Sequence, residues 1–227
     1  MNINYPILQK SILFVGPNSH GTTVDPMCFT YMKPFSKHGT ISHLKIRHYS
    51  ELQRVRLAVF TGGEDVNPAF YGEERLSSTY FSEARDAADY EAWVICQKHS
   101  IPTIGICRGA QFLNVMNGGA LIQHADLHTR PHQIVVSYKQ LRDVYNHITV
   151  SSTHHQIMVP PKTGKILAYA THRKGNNEIH NLDPEVVFFP NTKSLCVQFH
   201  PERAEVNSPE SNLFQELLSD FLSIVEE

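Results

Sequence analysis

The sequence predicts an α/β fold in which a mostly parallel central sheet is covered by helices on both faces. Short apolar runs of strand length, such as L-A-V-F-T-G-G and I-P-T-I-G-I-C, stop at or beside glycines. Segments with helical start and stop signals lie between these runs. A third observation, the strand-rich texture that begins at Gln133, predicts additional β-strands in the C-terminal half.

The N-terminal half supplies the alternating elements. Three strands are predicted, at residues 11–18, 41–49 and 57–63. A helix is expected from Ser82 to His99, because Ser82 is a suitable N-cap, acidic residues fill the early turns and Lys98 lies at the end. Residues 101–107 are predicted as the next strand, and residues 108–119 as a helix that is closed by glycines.

The C-terminal half consists mainly of strands and turns, which partly extend the sheet and partly form a hairpin layer at its end. The predicted strands are residues 133–138, 147–152, 165–170, 185–190 and 194–200. From Leu213 to Val225, apolar residues recur at helical spacing. This stripe predicts a helix packed on the core, with a dimer face as the alternative.

Length and composition indicate an ordinary globular protein. The 227 residues are 41% hydrophobic and 19% charged, with a formal net charge of −2 and no block of Lys or Arg. We therefore expect one domain over residues 1–227, and neither nucleic acid nor a membrane as a partner. No signal-peptide core is recognised, and no apolar run approaches the ~18 residues of a membrane span, so a cytoplasmic protein is expected.

The four cysteines lie far apart and form no C-x-x-C pair. They are Cys28, Cys96, Cys107 and Cys196. In a reducing compartment this spacing favours free thiols over a disulfide framework or a zinc site. Cys96 and Cys196 stand inside apolar runs and are expected to be core residues, whereas Cys107 has unusual neighbours.

The segment G-I-C-R-G-A-Q, residues 105–111, has the pattern of a nucleophile elbow with sulfur in place of oxygen. A sharp strand-to-helix turn would lift Cys107 above the sheet, and Gly105 and Gly109 would let strand and helix come close. The helix N-terminus would favour the thiolate, and the backbone N–H of Arg108 would point towards an anion beside the sulfur. A small core residue is the alternative, because a nucleophile also needs a base.

A candidate base lies in V-Q-F-H-P-E, residues 197–202. Pro201 disfavours helical backbone at His200, so this stretch is expected to be extended, with Glu202 on the same side as His200. A carboxylate in that place can accept the Nδ1 proton and present the other ring nitrogen to Cys107. The alternative is an exposed histidine near a turn.

A histidine-rich run, H-A-D-L-H-T-R-P-H, places His124, His128 and His132 four residues apart. This spacing could face one side of a helix, but Pro131 breaks that helix and no Cys or Glu completes a zinc site. We therefore expect no metal and interpret the run as a solvated or locally hydrogen-bonded loop.

Together, G-I-C-R-G-A-Q and Q-F-H-P-E strongly resemble the class I (triad) glutamine amidotransferases. The strand ending T-G-G-E-D-V resembles the oxyanion loop of that family. The segments D-V-N-P-A-F-Y-G-E and S-S-T-H-H-Q, with Arg85 and Asp86, resemble the branch of γ-glutamyl hydrolases that includes γ-glutamyl-γ-aminobutyrate hydrolase. The resemblance covers roughly Leu57 to Glu202. Within it, Asp65, Arg85 and Asp86 are expected to have a structural role around the loop over the site.

The resemblance implies a role for each matching residue of the reacting centre. Cys107 would be the nucleophile, His200 the general base and acid, and Glu202 the residue that orients His200. The backbone N–H groups of Gly63 and Arg108 would form the oxyanion hole.

The same resemblance implies contacts to the substrate. Gln111 and the backbone around Ser152 and Thr153 would hold the γ-glutamyl part. The family often has Asn at the position of Ser151, so the amino-acid end of the substrate is expected to be gripped differently. The doublet His154–His155 is expected to shape the pocket wall rather than to react.

The implied reaction is acyl transfer to water. Cys107 would attack the amide carbonyl of glutamine or a γ-glutamyl amine, His200 would protonate the departing ammonia or amine, and water would hydrolyse the γ-glutamyl thioester. No metal or organic cofactor is needed. The alternatives are a glutaminase subunit that supplies ammonia to a separate synthetase, and an inactive binding protein on the same scaffold. The expected partners are a small γ-glutamyl substrate and either a synthetase or a second copy in a homodimer.

Overall fold

The computed structural model describes residues 11–16, 33–35, 40–42, 55–126, 128–170 and 183–226. The strands in these parts are β1 (Ser11–Val15), β2 (Thr40–Ser42), β3 (Val55–Phe60), β4 (Thr103–Ile106), β5 (Ala120–Ile122), β6 (His132–Val136), β7 (His147–Val150), β8 (Ile157–Val159), β9 (Lys165–Ala170), β10 (Asp183–Phe189) and β11 (Ser194–Val197). The α-helices in these parts are α1 (Glu83–Lys98), α2 (Arg108–Met116) and α3 (Pro209–Glu226). Short 3-10 helices occupy Lys33–Phe35, Pro68–Tyr71, Pro190–Thr192 and Pro201–Arg203.

A nine-stranded sheet with the order β2-β1-β3-β4-β11-β10-β9-β6-β7 forms the centre. The first five strands in this order are parallel, and the remaining pairs are antiparallel. Parallel strands bring their carboxyl ends to one edge, which is where ligand sites form in open α/β sheets. The predicted α/β class, with extra strands in the C-terminal half, is confirmed.

Both faces of the sheet are covered, because successive side chains of β3 enter two different hydrophobic cores. Leu57 and Val59 point into a core that also contains the apolar side of α3. Ala58 and Phe60 point into a second core, which contains apolar side chains of α1 and α2. Because successive residues of a strand face opposite sides, these fully apolar runs are what a doubly covered sheet requires.

The helix boundaries follow the end signals closely. The Ser82 hydroxyl accepts a hydrogen bond from the backbone N–H of Arg85 at 3.3 Å, so Ser82 is the N-cap of α1 as predicted. Helix α2 ends at Met116, three residues before the predicted end. The apolar stripe of α3 lies in the core; its buried members are Leu213, Phe214, Leu217, Leu218, Phe221, Leu222 and Val225.

Two features depart from the predicted elements or fall outside what is described. Strands β5 and β8 form a separate antiparallel pair that the sequence did not predict. Of the predicted strand 41–49, only its start lies in the described residues, as part of β2. None of the described helices is both long enough and apolar enough to cross a membrane.

The cysteines of the apolar runs are core residues, as expected. Cys96 and Cys196 are 1% and 0% exposed. Burial raises the pKa of the Cys96 thiol to about 12, and it also raises that of Cys196. Cys28 lies outside the described residues.

Candidate active site

Cys107 lies at the sharp turn from β4 into α2. Its φ of 52° and ψ of −110° belong to the region that residues with a Cβ rarely occupy. A Cβ on Gly105 would lie 2.3 Å from the carbonyl carbon of Gly109, and one on Gly109 would lie 2.1 Å from the carbonyl oxygen of Phe60. The two glycines are therefore required by the close approach of strand and helix. The predicted elbow geometry is present.

The sheet register brings the second motif to the same edge. Strands β4 and β11 are parallel neighbours, with Ile106 paired to Val197, and the Cys107 N–H donates to the Val197 carbonyl at 2.9 Å. Three residues beyond Val197, His200 precedes the 3-10 helix Pro201–Arg203. The carboxyl ends of two neighbouring strands thus carry the cysteine and the histidine.

The three predicted triad residues lie together and are almost buried. His200 Nδ1 lies 2.6 Å from Glu202 Oε1, and the two side chains are 3% and 2% exposed. On its other side His200 lies close enough to Cys107, which is 7% exposed, to interact with it electrostatically. The alternative of an exposed histidine near a turn is therefore excluded.

Electrostatics in this site favour a charged imidazole. Burial disfavours the charge, but hydrogen bonds to Cys107 and Glu202, together with their negative charges, outweigh it and raise the pKa of His200 to about 9. The His200 imidazole is therefore positively charged at neutral pH, beside the sulfur of Cys107.

Thr153 touches the reacting face of the histidine through its side chain. The Thr153 Oγ1 lies 3.0 Å from His200 Nε2, and Arg203 Nη1 donates to the same oxygen at 3.1 Å. The sequence had predicted only a backbone contact to substrate at Thr153. Sequence reasoning missed both side-chain contacts, since they join residues on different elements.

Ser151 supports the backbone of His200. The Ser151 hydroxyl accepts from the His200 N–H at 3.1 Å, and it lies 2.6 Å from Glu210 Oε1. The backbone N–H of Ser151 also donates to this carboxylate, at 3.0 Å. Ser151, the residue that departs from the family pattern, therefore has its hydroxyl and its backbone N–H engaged in hydrogen bonds to other residues of the protein.

The side chain of Arg108 points away from the cysteine into a buried ionic cluster. Arg108 pairs with Asp86 and Asp89 of α1, and Arg85 Nε lies 3.0 Å from both carboxylate oxygens of Asp89. All four side chains are at most 5% exposed. The backbone N–H of Arg108 lies in the first turn of α2, where the helix itself offers no acceptor.

The cluster also holds the loop that contains the predicted oxyanion donor Gly63. Arg85 Nη2 donates to the Thr61 carbonyl at 3.2 Å. Gly63 has a φ of 155°, and a Cβ there would lie 3.2 Å from Arg85 Nη1. Both the backbone conformation and the space therefore favour glycine at this position.

Further hydrogen bonds fix the second half of this loop. Asp65 Oδ2 accepts from the Tyr80 N–H at 2.9 Å, and Asp65 Oδ1 lies 3.0 Å from His155 Nε2. The Asn67 N–H donates to Asp86 Oδ2 at 3.1 Å. These bonds give Asp65 and Asp86 the structural position that the sequence indicated.

The side chains of the other predicted substrate contacts are engaged inside the protein. Gln111 Nε2 lies 3.4 Å from the Gln156 carbonyl and 3.3 Å from Gln198 Oε1. The hydroxyl of Ser152 donates to the backbone carbonyl of His128. Gln111 and Ser152 therefore shape the wall of the site through buried hydrogen bonds.

Of the two alternatives for the histidine run, solvated or locally hydrogen-bonded, the first is wrong for His128 and His132, whose Nδ1 atoms instead bond locally to the carbonyls of Asp126 and Arg130. His128 and His132 are 4% and 6% exposed, and their Nε2 atoms face Asp183 and Glu185 of β10. The sequence also did not indicate that Glu185 would lie between His132 and His154. The sequence did contain a signal for this cluster. Asp183 and Glu185 stand at the start of the apolar strand β10, and a carboxylate that is buried there needs hydrogen-bond or charge partners.

A protein-family model matches residues 42–202 of this chain, and its description is Peptidase C26. The match includes the cysteine elbow, the loop at Gly63, and the segment that contains His200 and Glu202.

Relatives with similar sequences carry related names. The glutamine amidotransferase-like protein YvdE of Lactococcus lactis is 32% identical over 176 residues, which are 69% of this chain and 69% of that protein. The protein NtpR of Enterococcus hirae is 30% identical over 199 residues, or 75% of this chain and 77% of NtpR. The glutamine amidotransferase Rv2859c of Mycobacterium tuberculosis is 40% identical over 74 residues, but the match spans only 24% of its length.

Solved structures share the architecture at low sequence identity. A GMP synthase subunit from Thermoplasma acidophilum superposes with a TM-score of 0.64 at 16% identity, covering 96% of this chain and 94% of that one. A glutamine amidotransferase from Thermotoga maritima gives a TM-score of 0.61 at 16% identity, with coverage of 96% and 99%. Sequence and structure together show that this chain belongs to the Peptidase C26 family and has the fold of the glutamine amidotransferases.

Proposed function

We propose that the protein is a cysteine-dependent hydrolase of γ-glutamyl amide bonds, acting on glutamine or a γ-glutamyl amine. Cys107 is the nucleophile, His200 the acid and base, and Glu202 the residue that orients His200. The supporting observation is the buried hydrogen bond between His200 and Glu202, which places the imidazole beside Cys107 at the elbow.

The proposed reaction has two half-reactions. The Cys107 thiolate attacks the γ-carbonyl carbon, and the resulting oxyanion is bound by the backbone N–H groups of Gly63 and Arg108. His200 Nε2–H then protonates the departing ammonia or amine, which leaves a γ-glutamyl thioester on the cysteine. A water that gives its proton to His200 hydrolyses the thioester, releasing glutamate and restoring the thiolate–imidazolium pair.

Two features support hydrolysis without help from a second protein. His200 is already hydrogen-bonded to Glu202 beside Cys107, and the loop that contains Gly63 is held at several points by hydrogen bonds to Arg85, Asp86 and Tyr80. Losing one oxyanion donor costs roughly 3 kcal/mol of barrier, so a loop fixed in place favours turnover by the isolated chain.

A glutaminase subunit that supplies ammonia to a synthetase is the second candidate. It is favoured by exposed side chains in the residues that follow the Gly63 loop along the chain, one of which, Tyr80, also hydrogen-bonds back to the loop at Asp65. Tyr80, Leu76 and Phe70 are 66%, 49% and 38% exposed. Exposed apolar side chains close to a functional loop are typical of a docking surface.

Steady-state hydrolysis by the isolated chain tests the proposal. The panel is glutamine, several γ-glutamyl amines and γ-glutamyl peptides, with Cys107→Ala as the control for contaminating amidases. Turnover of about 1–10 per second on at least one of these amides is expected, as for an ordinary enzyme. Negligible turnover across the panel, followed by strong activation when a synthetase is added, would establish the second candidate instead.

A further inference from the structure

A buried group of imidazoles and carboxylates lies apart from the triad. Among the described residues, His132, His154 and Glu185 place one nitrogen or oxygen atom each within 4.8 Å of one another. The side chains are 4%, 1% and 0% exposed. They come from β6, from the segment after β7, and from β10. His128 and Asp183, which are paired with each other, border this group.

The outer ring nitrogens of the histidines are fixed as donors. His132 Nδ1 lies 3.2 Å from the Arg130 carbonyl, and His154 Nδ1 lies 2.9 Å from the Gln156 carbonyl. A carbonyl oxygen can only accept, so in each ring Nδ1 carries the proton. The Nε2 atoms therefore face the Glu185 carboxylate, where each can bind a proton or a metal ion. A hydrogen bond from the other ring nitrogen to a carbonyl is also the usual support of a metal-binding histidine.

Several inward-facing atoms of the group lack a hydrogen-bond partner within the described residues. They are His154 Nε2, Glu185 Oε2 and Asp183 Oδ1. An unpaired polar atom in the interior is costly, and an ionised carboxylate more so. A metal ion among these atoms would give each of them a partner.

The spacing of these atoms suits a small tetrahedral ion. His132 Nε2 and His154 Nε2 lie 3.0 Å and 3.4 Å from Glu185 Oε1. With bonds of about 2.0–2.1 Å, neighbouring ligand atoms of tetrahedral zinc are roughly 3.3 Å apart. Two imidazoles and one carboxylate are a known zinc ligand set, whereas Ca²⁺ and Mg²⁺ prefer oxygen ligands alone.

We propose that His132, His154 and Glu185 form a buried binding site for a divalent transition-metal ion, with zinc as the occupant. The ion would join β6 and β10 to the segment that carries Thr153, next to His154 in sequence and 3.0 Å from His200 Nε2. Its role would be to fix one wall of the candidate active site, without contact to the reacting atoms.

Zinc content is measured on protein that carries Cys107→Ala, because a thiolate beside an imidazole could bind zinc itself. Bound metal is first removed with a chelator, and the protein is then equilibrated with zinc and passed through a desalting column. The zinc that remains bound is measured by inductively coupled plasma mass spectrometry. One retained zinc per chain is expected. Adding Glu185→Gln or His154→Gln should lower the affinity by at least the roughly 10–100-fold that loss of a supporting residue costs.

His124→Ala is the matched control. His124 belongs to the same run but is exposed, and its Nδ1 lies 3.4 Å from His155 Nδ1 in a surface pair that could also attract zinc. The control should retain the ion. If His124→Ala removes the zinc while Glu185→Gln keeps it, or if the Cys107→Ala protein retains none, the proposal is wrong.

A second measurement does not depend on ligand variants that could fail to fold. The zinc X-ray absorption edge of protein with both Cys107→Ala and His124→Ala should show two imidazoles and oxygen at about 2.0–2.1 Å, with no sulfur. Its thermal midpoint should rise with added zinc, since the ion binds only the folded chain. A spectrum that shows fewer than two imidazole ligands would contradict the proposal. So would a thermal midpoint that added zinc leaves unchanged, since the histidines would then be binding protons rather than zinc.

Discussion

The backbone at Cys107 carries a conformational cost that the surrounding elements enforce. A residue with a Cβ at such dihedrals is disfavoured by about 1–3 kcal/mol. The Cys107 N–H donates to Val197 on the neighbouring strand, and its carbonyl accepts from the Gln111 N–H at 3.1 Å. The sulfur position follows from this backbone, so the proposed nucleophile is placed before any substrate arrives.

The charge on His200 predicts how activity depends on pH. Because the folded pKa is about 9, against an ordinary 6.5, the imidazolium persists through neutral pH and is lost as the pH rises through about 9. The proton for the leaving amine is lost with it, so kcat/KM should fall above about pH 9. The stabilisation from this charged ring should be complete below about pH 6.5 and disappear over the same alkaline range.

Glu202→Gln tests the origin of this shift. The amide can still accept the Nδ1 hydrogen bond but lacks the negative charge, so the alkaline limb should move to lower pH and the rate should drop by up to about 10⁴-fold. Glu205→Gln, an exposed carboxylate three residues further on, is the control and should leave the profile unchanged. A Glu202→Gln profile that overlays the wild type would reduce Glu202 to a turn residue.

At the scale of elements, the ionic cluster joins α1, α2 and the Gly63 loop. Asp89 is shared by Arg85 and Arg108, and it is fully buried. The cluster therefore connects the helix that begins beside Cys107 to the helix that anchors the loop. A substitution that weakens the cluster should therefore disturb the positions of both predicted oxyanion donors, the backbone N–H groups of Gly63 and Arg108.

Asp89→Asn should destabilise the fold strongly, because it leaves two buried guanidinium groups without adequate compensation. A loss of about 3–5 kcal/mol in the free energy of unfolding is expected from urea titration. The matched control is Glu226→Gln, which removes the partly exposed pair with Arg56 at 2.7 Å and should cost about 1 kcal/mol or less. Equal losses in the two variants would mean that the buried cluster contributes little.

Across the whole molecule, the features that the sequence predicted correctly are those determined by residues close together in the chain. Gly105 and Gly109 predicted the turn at Cys107, because the close contact that they permit lies within a few residues. Pro201 likewise predicted the extended approach to His200 and Glu202. These local signals predicted the elbow and the extended segment, whereas the joining of Cys107 and His200 was implied by the resemblance to the glutamine amidotransferases.

What the sequence did not predict depends on distant pairing. The ring of His132 meets Glu185 across 53 positions, and Ser151 meets Glu210 across 59. No periodicity connects residues so far apart, so the local hydrogen bonds of the histidine run could be expected from the sequence but its burial against β10 could not. Strands β5 and β8 were missed because three residues are too few to show an alternation.

The central claim is that Cys107 attacks a γ-glutamyl carbonyl, and covalent labelling tests it most directly. The glutamine-mimicking diazo ketone 6-diazo-5-oxo-L-norleucine alkylates an activated thiolate in a glutamine site and loses nitrogen. Peptide mass spectrometry should find one adduct per chain, on Cys107, in proportion to the loss of hydrolysis and suppressed by excess glutamine. Labelling confined to other residues, or hydrolysis that survives complete modification of Cys107, would contradict the account.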